Sequence, residues 1–233
     1  MNFKEFILSF RVHTAPIPLT EKIRSAVISG IAIFLLGFAI QFLPEFNFPL
    51  AMISSIAAST VLLFVVPHSP MAQPWPVFGG HAFSALAGWL CGQSIQDPVL
   101  AAACAVGLAI ILMHSFHCLH PPGAATALML VLFNTHFNSL GWAWVTGAVL
   151  ANTGIALLLA LLINNLLPGR HYPMRHTPEP ILKTDHLQLK REDIEWALTQ
   201  IDGVVDVTEE DLMDIYELAI RHAKSQKKNN PKS

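Results

Sequence analysis

The sequence predicts an all-α, polytopic helical membrane protein with a small charged tail. Three observations carry this. Only 13% of the 233 residues are charged and 53% are hydrophobic, against about 25% charge in an ordinary soluble domain. The fourteen Lys and Arg are segregated: none falls between Arg24 and Arg170, and the acids there are Glu45 and Asp97. Within that gap, apolar runs alternate with Pro, Gly and Asn. Disorder, a nucleic-acid footprint and an ordinary soluble enzyme are disfavoured, and a net charge of −2 points to no polyanionic partner. Cys91, Cys104 and Cys118 make no CxxC pair and read as small hydrophobes. No cleavable signal peptide is expected, because the first apolar run is long and lacks a small-residue cleavage site.

Residues 1–19 read as an interfacial segment, with Phe3, Phe6, Ile7 and Phe10 at helical spacing. Thr20 is the expected cap of a span over Ser25–Leu43, ended by Pro44. Asn47 with Pro49 signals a new start, and Leu50–Val66 is the second segment. A proline-rich loop, His68–Phe78, follows. Gly79–Gly80–His81 is expected to open a third segment running to Ile95. Asp97–Pro98 repeats the cap-plus-proline signal ahead of a fourth, Val99–His117. His120–Pro121–Pro122–Gly123 then breaks the chain. Ala124–Phe133 is apolar but short, and reads as a tilted span or a half-helix lining a cavity. Asn138 and Ser139 are cap candidates for the last helix, Trp142–Leu167, with Trp142 and Trp144 in one interface belt.

The basic residues lie outside the first and last spans. Both termini are therefore expected in the cytoplasm, with an even number of crossings. Six is the reading adopted; four crossings plus two re-entrant segments is the rival. Gly79–Leu86 aligns faintly with Pro121–Leu128, which would make the region two helix–broken loop–helix units. Residues 20–173 form the transmembrane domain and 174–233 a cytoplasmic linker and small helical tail, disordered at its end. The tail is too small for a strong core of its own and is expected to pack on a partner copy or on the membrane domain.

A polar group at membrane depth marks a pathway or a polar contact. Two places have the features needed to hold an anion without a basic residue: Gly79–Gly80–His81 with Ser84, and His120–Pro121–Pro122–Gly123 with Thr126. Helix N-termini attract anions, glycine lets an ion approach the backbone, and the hydroxyls sit one turn in. The plain structural alternative is a pair of capped helix starts in a tight bundle. His114, His117 and His120 form H-x-x-H-x-x-H, a spacing that could hold a transition metal on one helical face. No carboxylate accompanies them, so no metal or other cofactor is expected. His68 and His136 read as loop residues. No nucleophile–base pair, G-x-S-x-G, H-E-x-x-H or P-loop is present, so the chain is not read as an enzyme.

The stretch H-P-P-G-A-A-T-A-L from His120 resembles the signature of the HPP family of integral membrane proteins. Ala72–Gln73–Pro74–Trp75, and Gly79–Gly80–His81 with Ser84–Ala85–Leu86–Ala87–Gly88, are similar to its other recurring stretch. The resemblance covers roughly residues 20–173. It implies a fold usually described as four transmembrane helices, in tension with six. Members in chloroplasts and cyanobacteria are linked to nitrite transport, which makes nitrite the leading substrate here. Some members carry a C-terminal pair of CBS domains; this tail resembles only the linker before such a pair. The family's signature falls on His120, Pro121, Pro122, Gly123 and Thr126, and on Gly79, Gly80 and His81. Their role as anion ligands is a physical inference from the residues.

The expectation is a transporter or channel for a small inorganic anion, coupled to a proton through His81 and His120. Its setting would be a bacterial inner membrane, as a homo-oligomer and without nucleic acid. One rival is a membrane sensor or scaffold signalling through its tail. A second is a metal transporter or membrane enzyme using His114, His117 and His120.

Overall fold

The computed structural model describes residues 18–41, 53–174 and Tyr216. One unit spans Leu19–Thr177. A second unit combines Met1–Pro18 with Pro178–Ser233; of it only Pro18 and the helical Tyr216 are described. The interfacial N-terminal segment and the helices of the tail therefore lie outside the described residues, as do the Asn47 and Pro49 signals.

Among the described residues of the first unit there are seven α-helices and no strand: α1 (Leu19–Gln41), α2 (Ile53–Val65), α3 (Pro74–Ser94), α4 (Pro98–Ser115), α5 (Pro121–Leu132), α6 (Asn134–Leu140) and α7 (Trp142–Leu166). Three are long and apolar enough to cross a bilayer: α1, α4 and α7. Helices α2 and α5 are apolar but short. Helix α3 has 21 residues, but its glycines, prolines and polar groups dilute its apolar character. Over its described residues each apolar segment read from the sequence is helical, while six full crossings is not what length and composition alone deliver. Leu19, Ile23, Val27, Ile31, Phe34 and Phe38 make an exposed stripe along α1. Large apolar groups left outside on a helix of this length face lipid.

Several boundaries differ from expectation for local reasons. Helix α1 starts at Leu19, so Thr20 lies inside its first turn. Helix α3 starts at Pro74, so Gly79–Gly80–His81 lies within the helix and does not open it. Proline at the first helical position lacks only an N–H that would be unpaired anyway. Asp97 caps α4 as expected, accepting from Leu100 N at 2.7 Å. Asn138 and Ser139 cap nothing, because α6 consumes them; the break before α7 is Gly141, at φ 86°.

Contacts fix which helix ends lie together. Arg170, just past α7, pairs with Glu21 in the first turn of α1. It also donates to Phe64 O at the end of α2, 2.7 Å away. Tyr172 Oη donates to Ala72 O ahead of α3 at 2.7 Å. Trp75 Nε1 in α3 donates to Phe116 O just past α4 at 3.0 Å. The opposite end gathers the end of α3, α6 and the start of α7: Asn134 Nδ2 donates to Gly92 O at 2.6 Å, and the Trp89 and Trp142 rings lie 4.6 Å apart. The start of α1 and the end of α7 thus share one end of the bundle.

Helix α3 is the centre of the packing and touches α4, α5 and α7. Its partners present small residues. Ala101, Ala105 and Ala109 recur every fourth residue on the buried face of α4, one ridge of the helix. Helices α3 and α5 run in parallel at very close range. A Cβ on Gly80 would lie 2.6 Å from His120 Cβ, and one on Gly88 2.6 Å from Ala127 O. One on Gly123 would lie 2.8 Å from Gly80 O. Gly80, Ser84 and Gly88 on α3 therefore face Gly123 and Ala127 on α5, the small-xxx-small arrangement that lets membrane helices approach. Gly123 sits beside Gly80, so α5 begins about 6 Å inside the start of α3 at 1.5 Å per residue.

Candidate functional site

The close approach of α3 and α5 buries a chain of four polar side chains between α2, α3 and α5. His81 lies in the second turn of α3, His120 at the N-cap of α5 and Thr126 two turns further on. Ser59 lies in mid-α2. All four are 0% exposed. Thr126 Oγ1 is 2.8 Å from His81 Nδ1. His81 Nε2 is 2.9 Å from Ser59 Oγ, and Ser59 Oγ is 2.8 Å from His120 Nε2. His120 Nδ1 is 2.8 Å from Met71 O. The two rings sit 5.1 Å apart, tilted by 60°.

Proton counting gives the chain a direction. A carbonyl oxygen only accepts, so His120 Nδ1 must carry the proton given to Met71 O. A neutral His120 then has a bare Nε2, which takes the one Ser59 hydroxyl proton. Ser59 Oγ is left to accept from His81 Nε2–H. The bare Nδ1 of His81 accepts from Thr126 Oγ1–H. With both rings neutral this is the single arrangement that satisfies all four contacts. Ser59 Oγ also lies 3.2 Å from Ser55 O, but its proton is already committed. Every donor in the chain is used inside it. Buried polar groups in apolar surroundings require such pairing, since an unmade hydrogen bond there costs about 1–3 kcal/mol.

Met71 belongs to a 3₁₀ turn, Pro70–Ala72, capped by Ser69 Oγ. Gln73 braces it from below, donating Nε2 to Pro67 O and Ser69 O at 3.0 Å each. Tyr172 closes it from the side through Ala72 O. Burial pushes the Tyr172 phenol up from its ordinary value, so it stays a donor.

The structure brings His81, His120 and Thr126 into one chain, with Gly80, Gly123 and Ser84 packed beside it. Ser84 Oγ contacts Met113 Sδ at 4.0 Å. Gly79 backs onto Cys118, where an added Cβ would lie 2.9 Å from the cysteine Cβ. Pro122 is buried and Pro121 is exposed. Three first-turn positions of α5 offer no free backbone donor: Pro121 and Pro122 have no N–H, and Gly123 N gives its own to His120 O at 2.8 Å. The glycines admit a neighbouring helix at close range. The three histidines of the H-x-x-H-x-x-H motif do not share a helical face. Helix α4 stops at Ser115, His117 turns back at φ 53°, and only His120 enters the core. Among the described residues no group of three His, Cys, Asp or Glu is placed to hold a metal.

Sequence reading missed Ser59, which joins the two histidines. A weak signal exists: Ser55 and Ser59, four apart in an apolar run, lie on the buried face of α2. It also missed Asn152, buried in mid-α7, whose Nδ2 has no hydrogen-bond partner among the described residues.

A second polar network lies at the shared end of the bundle. Arg170 pairs with Glu21, and donates to Ser25 Oγ at 3.0 Å and to Asn164 Oδ1 at 3.3 Å. Asn164 Nδ2 donates to Leu63 O at 3.0 Å. This clasp ties α1, α2 and α7.

A family model for the HPP transmembrane region matches residues 14–173, more than half of the chain. The chain belongs to the HPP transmembrane family. It is an integral membrane protein, and the buried chain of Ser59, His81, His120 and Thr126 lies wholly within the matched region of this HPP protein. Two transmembrane proteins of Dictyostelium discoideum are similar to it. One is 39% identical over 127 residues, covering 53% of this chain and 44% of the relative. The other is 37% identical over 127 residues, covering 53% of this chain and 40% of the relative. The match thus spans less than half the length of either relative. No solved structure matches.

Proposed function

We propose that this HPP protein moves a small inorganic anion, nitrite first, across a bacterial inner membrane. The observation that carries the reading is the neutral, fully paired chain Thr126–His81–Ser59–His120 buried in an apolar helical bundle. Polar groups at such depth are expensive, and by default they serve a pathway. No Lys or Arg lies between Arg24 and Arg170, so an anion there is met by hydroxyls, imidazoles and helix dipoles. The anion passes along Ser84, His81, Thr126 and His120. Gly79, Gly80 and Gly123 hold α3 and α5 together, and Pro121 and Pro122 force the break that seats His120. Because every donor in the resting chain is used, the permeant anion must displace one of them, and a proton moving along the chain accompanies the step. The protein works without chemistry on its substrate, without a metal or cofactor, and as a homo-oligomer in the bilayer. Its helices make six passes, as two helix–broken loop–helix units, with both termini in the cytoplasm.

The test is nitrite uptake into proteoliposomes containing the full chain. Ser59→Ala and His120→Ala are expected to lower the rate by about tenfold or more, the worth of one or two buried hydrogen bonds. Uptake equal to wild type in both variants removes the chain from the pathway.

A further inference from the structure

Two histidines of the broken motif take no part in the buried chain. His114 and His117 are exposed, and both line an open cleft of about 290 Å³. Pro70, Pro76 and Leu119 form its apolar sides, and Met71 and Met113 also line it. These two methionines are shared with the interior. Met71 O accepts from His120 Nδ1 at 2.8 Å, and Met113 Sδ contacts Ser84 Oγ at 4.0 Å. A single layer of residues therefore separates the cleft from the buried chain.

The backbone at the rim is unusual. His117 has φ 53°, a left-handed conformation that a non-glycine residue adopts only when its surroundings hold it there. They do: His117 N donates to His114 O at 3.2 Å and Cys118 N to Met113 O at 2.8 Å. The turn sends Cys118 inward, fully buried, and leaves His117 at the cleft.

We infer that this cleft is a binding station for the permeant ion at the bundle end shared by the start of α1 and the end of α7, with His114 and His117 as its hydrogen-bond donors and a small monovalent, weakly hydrated anion as its ligand. The inference rests on the transport reading for the direction of travel. The ligand class follows from the lining. Imidazole N–H groups can donate to an anion, but no Lys or Arg lines the cleft to offset a second charge. A multivalent ion would have to leave water for apolar walls without a counter-charge. A monovalent ion such as nitrite or nitrate loses far less hydration.

The test uses the full chain and two readouts. Imidazole ¹⁵N spectra of detergent-solubilised protein are recorded during titration with nitrite, nitrate, chloride and sulfate. Saturable shifts at His114 and His117 with the monovalent anions, and none with sulfate, are expected. Proteoliposome uptake is then measured for His114→Ala/His117→Gly, in which glycine accepts the φ of residue 117. Its apparent KM for nitrite should rise about tenfold, as for a lost hydrogen bond, with the maximal rate and thermal stability near wild type. No shift with any anion, or an unchanged KM, overturns the station. Shifts without wild-type uptake leave the station standing and remove the transport reading. Uptake without shifts does the reverse.

Discussion

Two buried polar networks hold this bundle, and they solve the same problem in opposite ways. The inner chain of Ser59, His81, His120 and Thr126 is satisfied with neutral groups, each proton matched to one lone pair. The clasp at the bundle end uses full charges: the Arg170 guanidinium, almost fully buried, against Glu21, with Ser25, Asn164 and Phe64 O taking remaining donors. Depth explains the difference. A charge deep in an apolar bundle carries a large desolvation penalty, whereas one at the bundle end keeps partial access to water; the Glu21 side chain is 18% exposed. The clasp serves as a structural tie between α1, α2 and α7.

The largest expected effect separates the two. Arg170→Leu leaves Glu21 only Arg24, 3.4 Å away and 34% exposed, and Ser25, and removes the donors to Phe64 O and Asn164; it should lower stability by about 3–5 kcal/mol, whereas Ser59→Ala strands only neutral nitrogens and should cost about 1–3 kcal/mol. Thermal unfolding in detergent ranks them, and a reversed order breaks the distinction. Adding Glu21→Leu to Arg170→Leu should recover most of the loss, because the one charge then left without its partner, Arg24, is 34% exposed to solvent.

The close approach of α3 and α5 comes next. Gly80→Ala puts a methyl 2.6 Å from His120 Cβ, while Gly30, mid-α1, has nothing within 4 Å. Overpacking of this kind costs about 1–3 kcal/mol, so Gly80→Ala should destabilise and displace His120. Gly30→Ala should gain about 0.5–1 kcal/mol from helix propensity. Equal unfolding temperatures for the two variants would mean that α3 and α5 are not in contact there.

The smallest effect lies at the joint between the networks. Tyr172 follows Arg170 by two residues, and its hydroxyl holds Ala72, the neighbour of Met71. Tyr172→Phe should cost about 1 kcal/mol, one net hydrogen bond. It should also reduce nitrite uptake by loosening the carbonyl that orients His120. Lowered stability with unchanged uptake would make Tyr172 a structural residue alone.

Much of this was legible in the sequence, and the gaps have physical causes. Histidines in a cation-free apolar region marked His81 and His120, and the proline break marked the start of α5. Asp97–Pro98 gave its cap correctly. Gly79–Gly80 was misread as a helix start because Pro74 and Pro76 suggested a loop, although proline suits the first turn. The contact face of α3 is Gly80, Ser84 and Gly88, four apart, and shows itself only once α5 is placed against it. Ser59 was hidden because a serine inside an apolar run is unremarkable until a partner 61 residues away is known. Met71 left no trace at all, since it contributes a backbone carbonyl, which every residue carries.

The central claim is that the core holds a directed, neutral hydrogen-bond chain. Imidazole ¹⁵N spectra of the wild-type protein at neutral pH test it directly, because protonated and bare ring nitrogens are distinct. His81 is expected as the Nε2–H tautomer and His120 as the Nδ1–H tautomer, with Ser59→Ala perturbing both. Two rings in the same tautomer, or either ring doubly protonated, would contradict it.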